Sequence, residues 1–113
     1  MSCSWEQIRR RALPLAICAL SLSATPLWAQ NDGASLFKSK CAACHSADGS
    51  ASGPAGKAMH IRDLGSADVQ KQTDADLTGI IVNGKGSMPS YKGKLTDDQV
   101  KQVVSFIRGL AKK

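Results

Sequence analysis

Aromatic side chains are scarce in this chain of 113 residues, with two Trp, one Tyr and two Phe. Trp5 and Trp28 both precede residue 30, so the remainder has Phe37, Tyr91 and Phe106 as its whole aromatic content. A long apolar run is missing as well. Ala12 to Leu22 is interrupted by Pro14 and Ser21 and is shorter than the roughly 20 residues that cross a bilayer. Lysines are scattered and not interleaved with aromatics, which excludes a nucleic-acid footprint. Strand-like alternation and internal repeats are absent too. Helices are then the regular structure that the pattern supports.

The opening segment reads as an export signal rather than as part of a fold. Arg9, Arg10 and Arg11 form a positive flank, the apolar stretch follows, and Ser23 to Ala29 is more polar and ends in a small residue. Cleavage after Ala29 is expected, with Leu27 larger than usual three positions before the cut. Retention as an N-terminal anchor is the alternative. Residues 30–113 then make one small domain, with 12 Lys+Arg against 8 Asp+Glu. That domain keeps two of the four cysteines and both histidines. A chain this short buries a limited share of its surface and often needs a staple.

The staple is implied by Cys41-Ala42-Ala43-Cys44-His45. C-x-x-C-H is the pattern of covalent c-type haem attachment. Two thiols three positions apart add across the porphyrin vinyl groups, and the adjoining imidazole supplies one axial ligand to iron. A disulfide across so small a loop would stabilise little. A thioredoxin-like pair would need a βαβ pattern. A zinc site from Cys41, Cys44, His45 and His60 has the right ligand count, but the adjacency of Cys44 and His45 strains a shared tetrahedral ion.

A thioether is the soft donor expected on the opposite side of the iron. Met88 lies in Gly84-Lys85-Gly86-Ser87-Met88-Pro89, a segment that cannot be regular structure, and it is the candidate. Met59 and His60 are rivals, 14 and 15 residues after His45. Around these motifs the chain reads as helices. Asn31 or Asp32 caps a first helix through Leu36 and Phe37 to the cysteines. Ser46 to Gly56, around Pro54, is expected as loop, residues 57–65 as irregular, and 66–71 as a short helix. Thr73 begins a helix carrying Leu77, Ile80 and Ile81. Thr96-Asp97-Asp98-Gln99 is a capping box ahead of Val100, Val103, Val104, Ile107 and Leu110 on one stripe.

This order of motifs over about residues 31–111 resembles the class I cytochromes c, the small bacterial monohaem type. The resemblance implies an all-α fold of three to five helices around one covalently attached haem c, with His/Met axial ligation. It implies crossing N- and C-terminal helices, with Gly33 against Phe37 and Phe106. It further implies that the Pro54 carbonyl accepts from the proximal imidazole. The missing tryptophan leaves the propionate partners open, with Tyr91 as a substitute.

The function implied is a periplasmic, monomeric electron carrier that is not an enzyme and keeps no membrane segment once the signal is cleaved. Lys57, Lys85, Lys92 and Lys94 would steer docking onto acidic faces of redox partners. A haem-bearing subunit of a larger respiratory or dehydrogenase complex is the alternative. A small-molecule sensor or catalyst is the remaining one; such bundle cytochromes carry the haem motif near the C-terminus.

Overall fold

The computed structural model describes residues 32–112, so the expected signal peptide and Asn31 lie outside the described residues. Among the described residues six helical segments follow one another: α1 Gly33–Lys40, α2 Ala42–His45, α3 Pro54–Ala58, α4 Ala67–Gln70, α5 Asp74–Asn83 and α6 Asp97–Gly109. Among the described residues the one strand-like feature is an isolated bridge between Lys85 and Met88. The all-α expectation holds. Six segments replace three to five because one short turn is helical at Pro54 and the first helix breaks at Cys41.

Each long helix starts where a side chain satisfies its orphan amides. Asp32 accepts from the Ser35 amide at 2.7 Å and begins α1. Thr73 and Asp76 cap α5 reciprocally, and Thr96 and Gln99 do the same for α6. At the other end of α1, the amides of Cys44 and His45 both turn to the Cys41 carbonyl, at 3.2 and 3.0 Å. The ladder is thereby interrupted at Cys41, which ends α1 and precedes α2.

The segment expected as loop through Gly56 is helical from Pro54. Gly53 has extended backbone and Pro54 takes the first helical position, where its missing N–H costs nothing. Lys57 therefore sits on a helix rather than in a loop. Between α2 and α3 the chain is strongly bent. Ser46 adopts φ 63 and ψ 155, Ala51 has φ 55, and the Ser46 hydroxyl accepts from the Gly53 amide at 3.1 Å.

The core forms where α6 lays its apolar stripe on α1 and α5. Phe37, Val100 and Val103 are buried almost completely, and Leu77 and Ile81 meet them from α5. Burying each such side chain stabilises the fold by about 1.5–3 kcal/mol. The crossing of α1 and α6 is centred on Gly33. A Cβ there would stand 2.0 Å from the Gln102 carbonyl oxygen and 3.1 Å from Phe106 Cβ. One turn along, Phe37 and Phe106 rings lie 4.9 Å apart at 42°. The expected contact of Gly33, Phe37 and Phe106 is the one observed.

Polar ties fix the remaining short elements. Gln70 donates its amide to the Leu64 and Ile107 carbonyls at 2.8 and 2.9 Å. Arg108 reaches from α6 to the Gln70 carbonyl and to Asp74, both at 2.8 Å. These bonds hold α4 and the start of α5 against the C-terminal helix. They close one wall of the cavity described next.

Candidate haem-binding site

A cavity of about 330 Å³ opens between α1, α5, α6 and the two long connections. Its size lies within the range of small-molecule and cofactor sites. Phe37, Leu77, Ile81, Val103 and Ile107 make its floor apolar. Cys41, Cys44, His45 and Met88 all line it. Residues 41–45 and residue 88, separated by most of the domain, are thus brought to one chamber.

Both cysteines are free thiols, each half-buried. Burial pushes the Cys41 thiol above its ordinary pKa. His45 follows on α2, its ring 6.3 Å from that of Phe37. Burial also pushes this imidazole below its ordinary pKa, which favours the neutral form that ligates metals. Its Nδ1 is buried with no hydrogen-bond partner, the one such side-chain atom among the described residues. The bond from this nitrogen to the Pro54 carbonyl is therefore not made here.

Met88 is held by a tight turn. The Lys85 amide donates to the Met88 carbonyl at 3.1 Å, and the Met88 amide returns to the Lys85 carbonyl at 3.0 Å. Gly86 at the first central position has φ 58, as a type II′ turn requires. Beyond the turn, the Ser90 hydroxyl donates to the Val82 carbonyl at 2.6 Å, and the Tyr91 amide to the Ile81 carbonyl at 3.1 Å. Met88 is half-buried and packs against the core. The rivals Met59 and His60 also line the cavity, but at its mouth, where Met59 is 41% exposed.

Tyr91 lines the cavity. Its hydroxyl donates to the Lys40 carbonyl at 2.7 Å, so the proton needed for a propionate is already engaged. Burial raises the Tyr91 pKa, and the Cys41 and Cys44 sulfurs add to the rise. Of the four lysines expected to border the site, Lys85 lines it; Lys57, Lys92 and Lys94 are exposed and are not part of its lining. Lys40 and Arg62 also line the cavity, exposed at its rim, and sequence reasoning missed both. No local signal marks them, because only the fold carries them to the mouth.

The donor chemistry fits a haem. Two thiols, an imidazole and a thioether line one largely apolar chamber, the donor set that a covalently attached haem requires. A family model described as cytochrome c oxidase, cbb3-type, subunit III matches residues 29–107. The chain belongs to the cytochrome c family.

Cytochrome c6 of Leptolyngbya boryana is 33% identical over 81 residues, covering 72% of this chain and 92% of that protein. The solved KustC0563 c-type cytochrome superposes with a TM-score of 0.66 at 32% identity, covering 72% of this chain and 99% of that one. The gluconate 2-dehydrogenase cytochrome c subunit of Pantoea cypripedii is 37% identical over 97 residues, 76% of this chain but 22% of that protein. The small class I type implied by the motifs is thereby shown, as is the all-α class I fold. This cytochrome takes covalently bound haem c, and its work is electron transfer among redox proteins.

Proposed function

We propose that this cytochrome is an exported, soluble, monomeric carrier of single electrons, with His45 and Met88 as axial ligands and Cys41 and Cys44 as the thioether donors. The observation that carries this reading is the convergence of these four side chains on one apolar cavity. When bound, the haem supplies a one-electron couple at iron, and a thioether ligand raises its potential.

The chain's own part is to hold and to exclude. Phe37, Leu77 and Val103 keep water from the inner wall. With His45 and Met88 both holding the iron, no position would remain for a substrate, which favours outer-sphere transfer. Lys40, Arg62 and Lys85 ring the mouth with positive charge and attract acidic faces of a reductase and an oxidase or dehydrogenase. Arg62 is charged and exposed at the cavity lining, whereas the Tyr91 hydroxyl is engaged by the Lys40 carbonyl, so Arg62 suits the haem propionates better than Tyr91 does. Residues 1–29 act as the export signal, which places the protein in the periplasm. Among the described residues no helix is long and apolar enough to cross a membrane.

The test is exposure of the reduced holoprotein to carbon monoxide. A carrier with both positions filled keeps its spectrum unchanged through mixing and for minutes afterwards. Rapid formation of a carbon monoxide complex would contradict the reading and favour a small-molecule sensor or catalyst. The likeness to a dehydrogenase cytochrome subunit supports a second reading, a haem-bearing subunit of a larger complex. Salt-resistant co-purification with a partner supports that second reading; elution as a free monomer supports the carrier.

A further inference from the structure

Met88 is bolted firmly on one side. The Lys85–Met88 turn closes the segment on itself, and the Ser90 hydroxyl and the amides of Tyr91 and Lys92 fasten it to the C-terminal end of α5. None of these bonds reaches the wall that carries Cys41, Cys44 and His45. Among the described residues a single side-chain hydrogen bond joins the two walls across the cavity: the Tyr91 hydroxyl to the Lys40 carbonyl, 51 residues apart.

The acceptor is available because of the helix break. In an unbroken helix the Lys40 carbonyl would receive the Cys44 amide. Here that amide turns to the Cys41 carbonyl instead, leaving the last carbonyl of α1 to an outside donor. Tyr91 supplies it. Its ring is half-buried against the core, and the Lys94 ammonium stands 5.9 Å over its face. The phenol is therefore constrained at ring, backbone and hydroxyl.

We infer that Tyr91 is a positioning residue whose hydroxyl straps the Met88 loop to the end of α1 and so keeps the Met88 sulfur in the cavity. This rests on Met88 as an axial ligand. A loop pinned to α5 alone could swing outward as a unit, because the α5 attachment lies on the same side as the loop. The strap opposes that motion directly, next to Cys41. Its contribution falls on loop opening rather than on the fold as a whole.

The experiment titrates the oxidised holoprotein with imidazole, which competes with Met88, in the parent and in Tyr91→Phe. Phenylalanine keeps the ring and removes only the strap. Imidazole is expected to bind about fivefold more tightly in Tyr91→Phe, the effect of losing one ordinary hydrogen bond. Thr96→Ala, which removes the α6 cap far from the cavity, lowers the melting temperature but leaves imidazole affinity within about twofold. In a Met88→Ala background, Tyr91→Phe adds nothing further. Unchanged affinity in Tyr91→Phe overturns the strap, as does an equal gain in Thr96→Ala. An unaltered spectrum in Met88→Ala overturns the ligand assignment and the strap with it. A changed Met88→Ala spectrum beside unmoved Tyr91→Phe affinity overturns the strap alone.

Discussion

Adding one methyl group at Gly33 separates this fold from a merely helical one. The new Cβ would stand 2.0 Å from the Gln102 carbonyl oxygen, where ordinary contact begins at 3.4 Å. Helix α1 must back away by about 1.4 Å, because neither α6 backbone nor Phe106 Cβ can yield by that much. Overpacking of this kind costs about 1–3 kcal/mol, and loosening the Phe37–Phe106 pair adds up to about 1 kcal/mol. A central value of about 2 kcal/mol lowers the melting temperature of a domain this size by about 8–16 °C. Gly79 is the matched control, inside α5, where an added Cβ would meet nothing within 4 Å. Gly79→Ala stabilises by about 0.5–1 kcal/mol through helix propensity and raises the melting temperature by several degrees. Thermal denaturation of both holoproteins, followed by circular dichroism, reads the two signs. Equal stabilisation by both substitutions would refute the close crossing at Gly33.

Phe37→Ala removes a ring buried to 1% exposure and costs about 3–5 kcal/mol, a large part of the stability of a small domain. Chemical denaturation should show the loss, together with a low yield of haem-loaded protein. Hydrogen bonds from Ser35 and Thr73 hold the carboxyls of Asp32 and Asp76 below the usual range. Groups depressed in the folded state stabilise above the unfolded pKa of about 4, and that stabilisation is lost as pH falls through the folded values. Melting temperature should hold level from neutrality to about pH 5 and drop below about pH 4, less steeply in Asp76→Asn. A steeper drop in Asp76→Asn than in the parent would count against that cap. Association with an acidic redox partner should slow as salt rises, and Lys85→Glu should slow it several-fold at low salt, read by stopped flow.

Local chemistry made much of this molecule legible in its sequence. The boxes at Thr73 and Thr96 announce the starts of α5 and α6, because capping needs residues only three apart. The stripe from Val100 to Ile107 announces the buried face of α6. Gly33, Phe37 and Phe106 were identifiable through resemblance, and the geometry agrees. Long-range pairings were not legible. Nothing near Tyr91 says that its hydroxyl meets Lys40, 51 residues away. Pro54 reads as loop from composition, yet a proline suits a first helical turn as well as a loop, and tertiary packing decides between them. Ser46 and Ala51 occupy left-handed backbone that their residue types do not advertise. Arg62 reaches the cavity mouth only through the path of the chain after α3.

The visible spectrum of the oxidised holoprotein, taken for the parent and for Met88→Ala, tests the ligand set most directly. The parent should show a weak sulfur-to-iron band at the red end of the spectrum, and Met88→Ala should lose it and take up a new sixth ligand or none. A parent without that band, or a band that survives the substitution, would contradict the placement of iron between His45 and Met88.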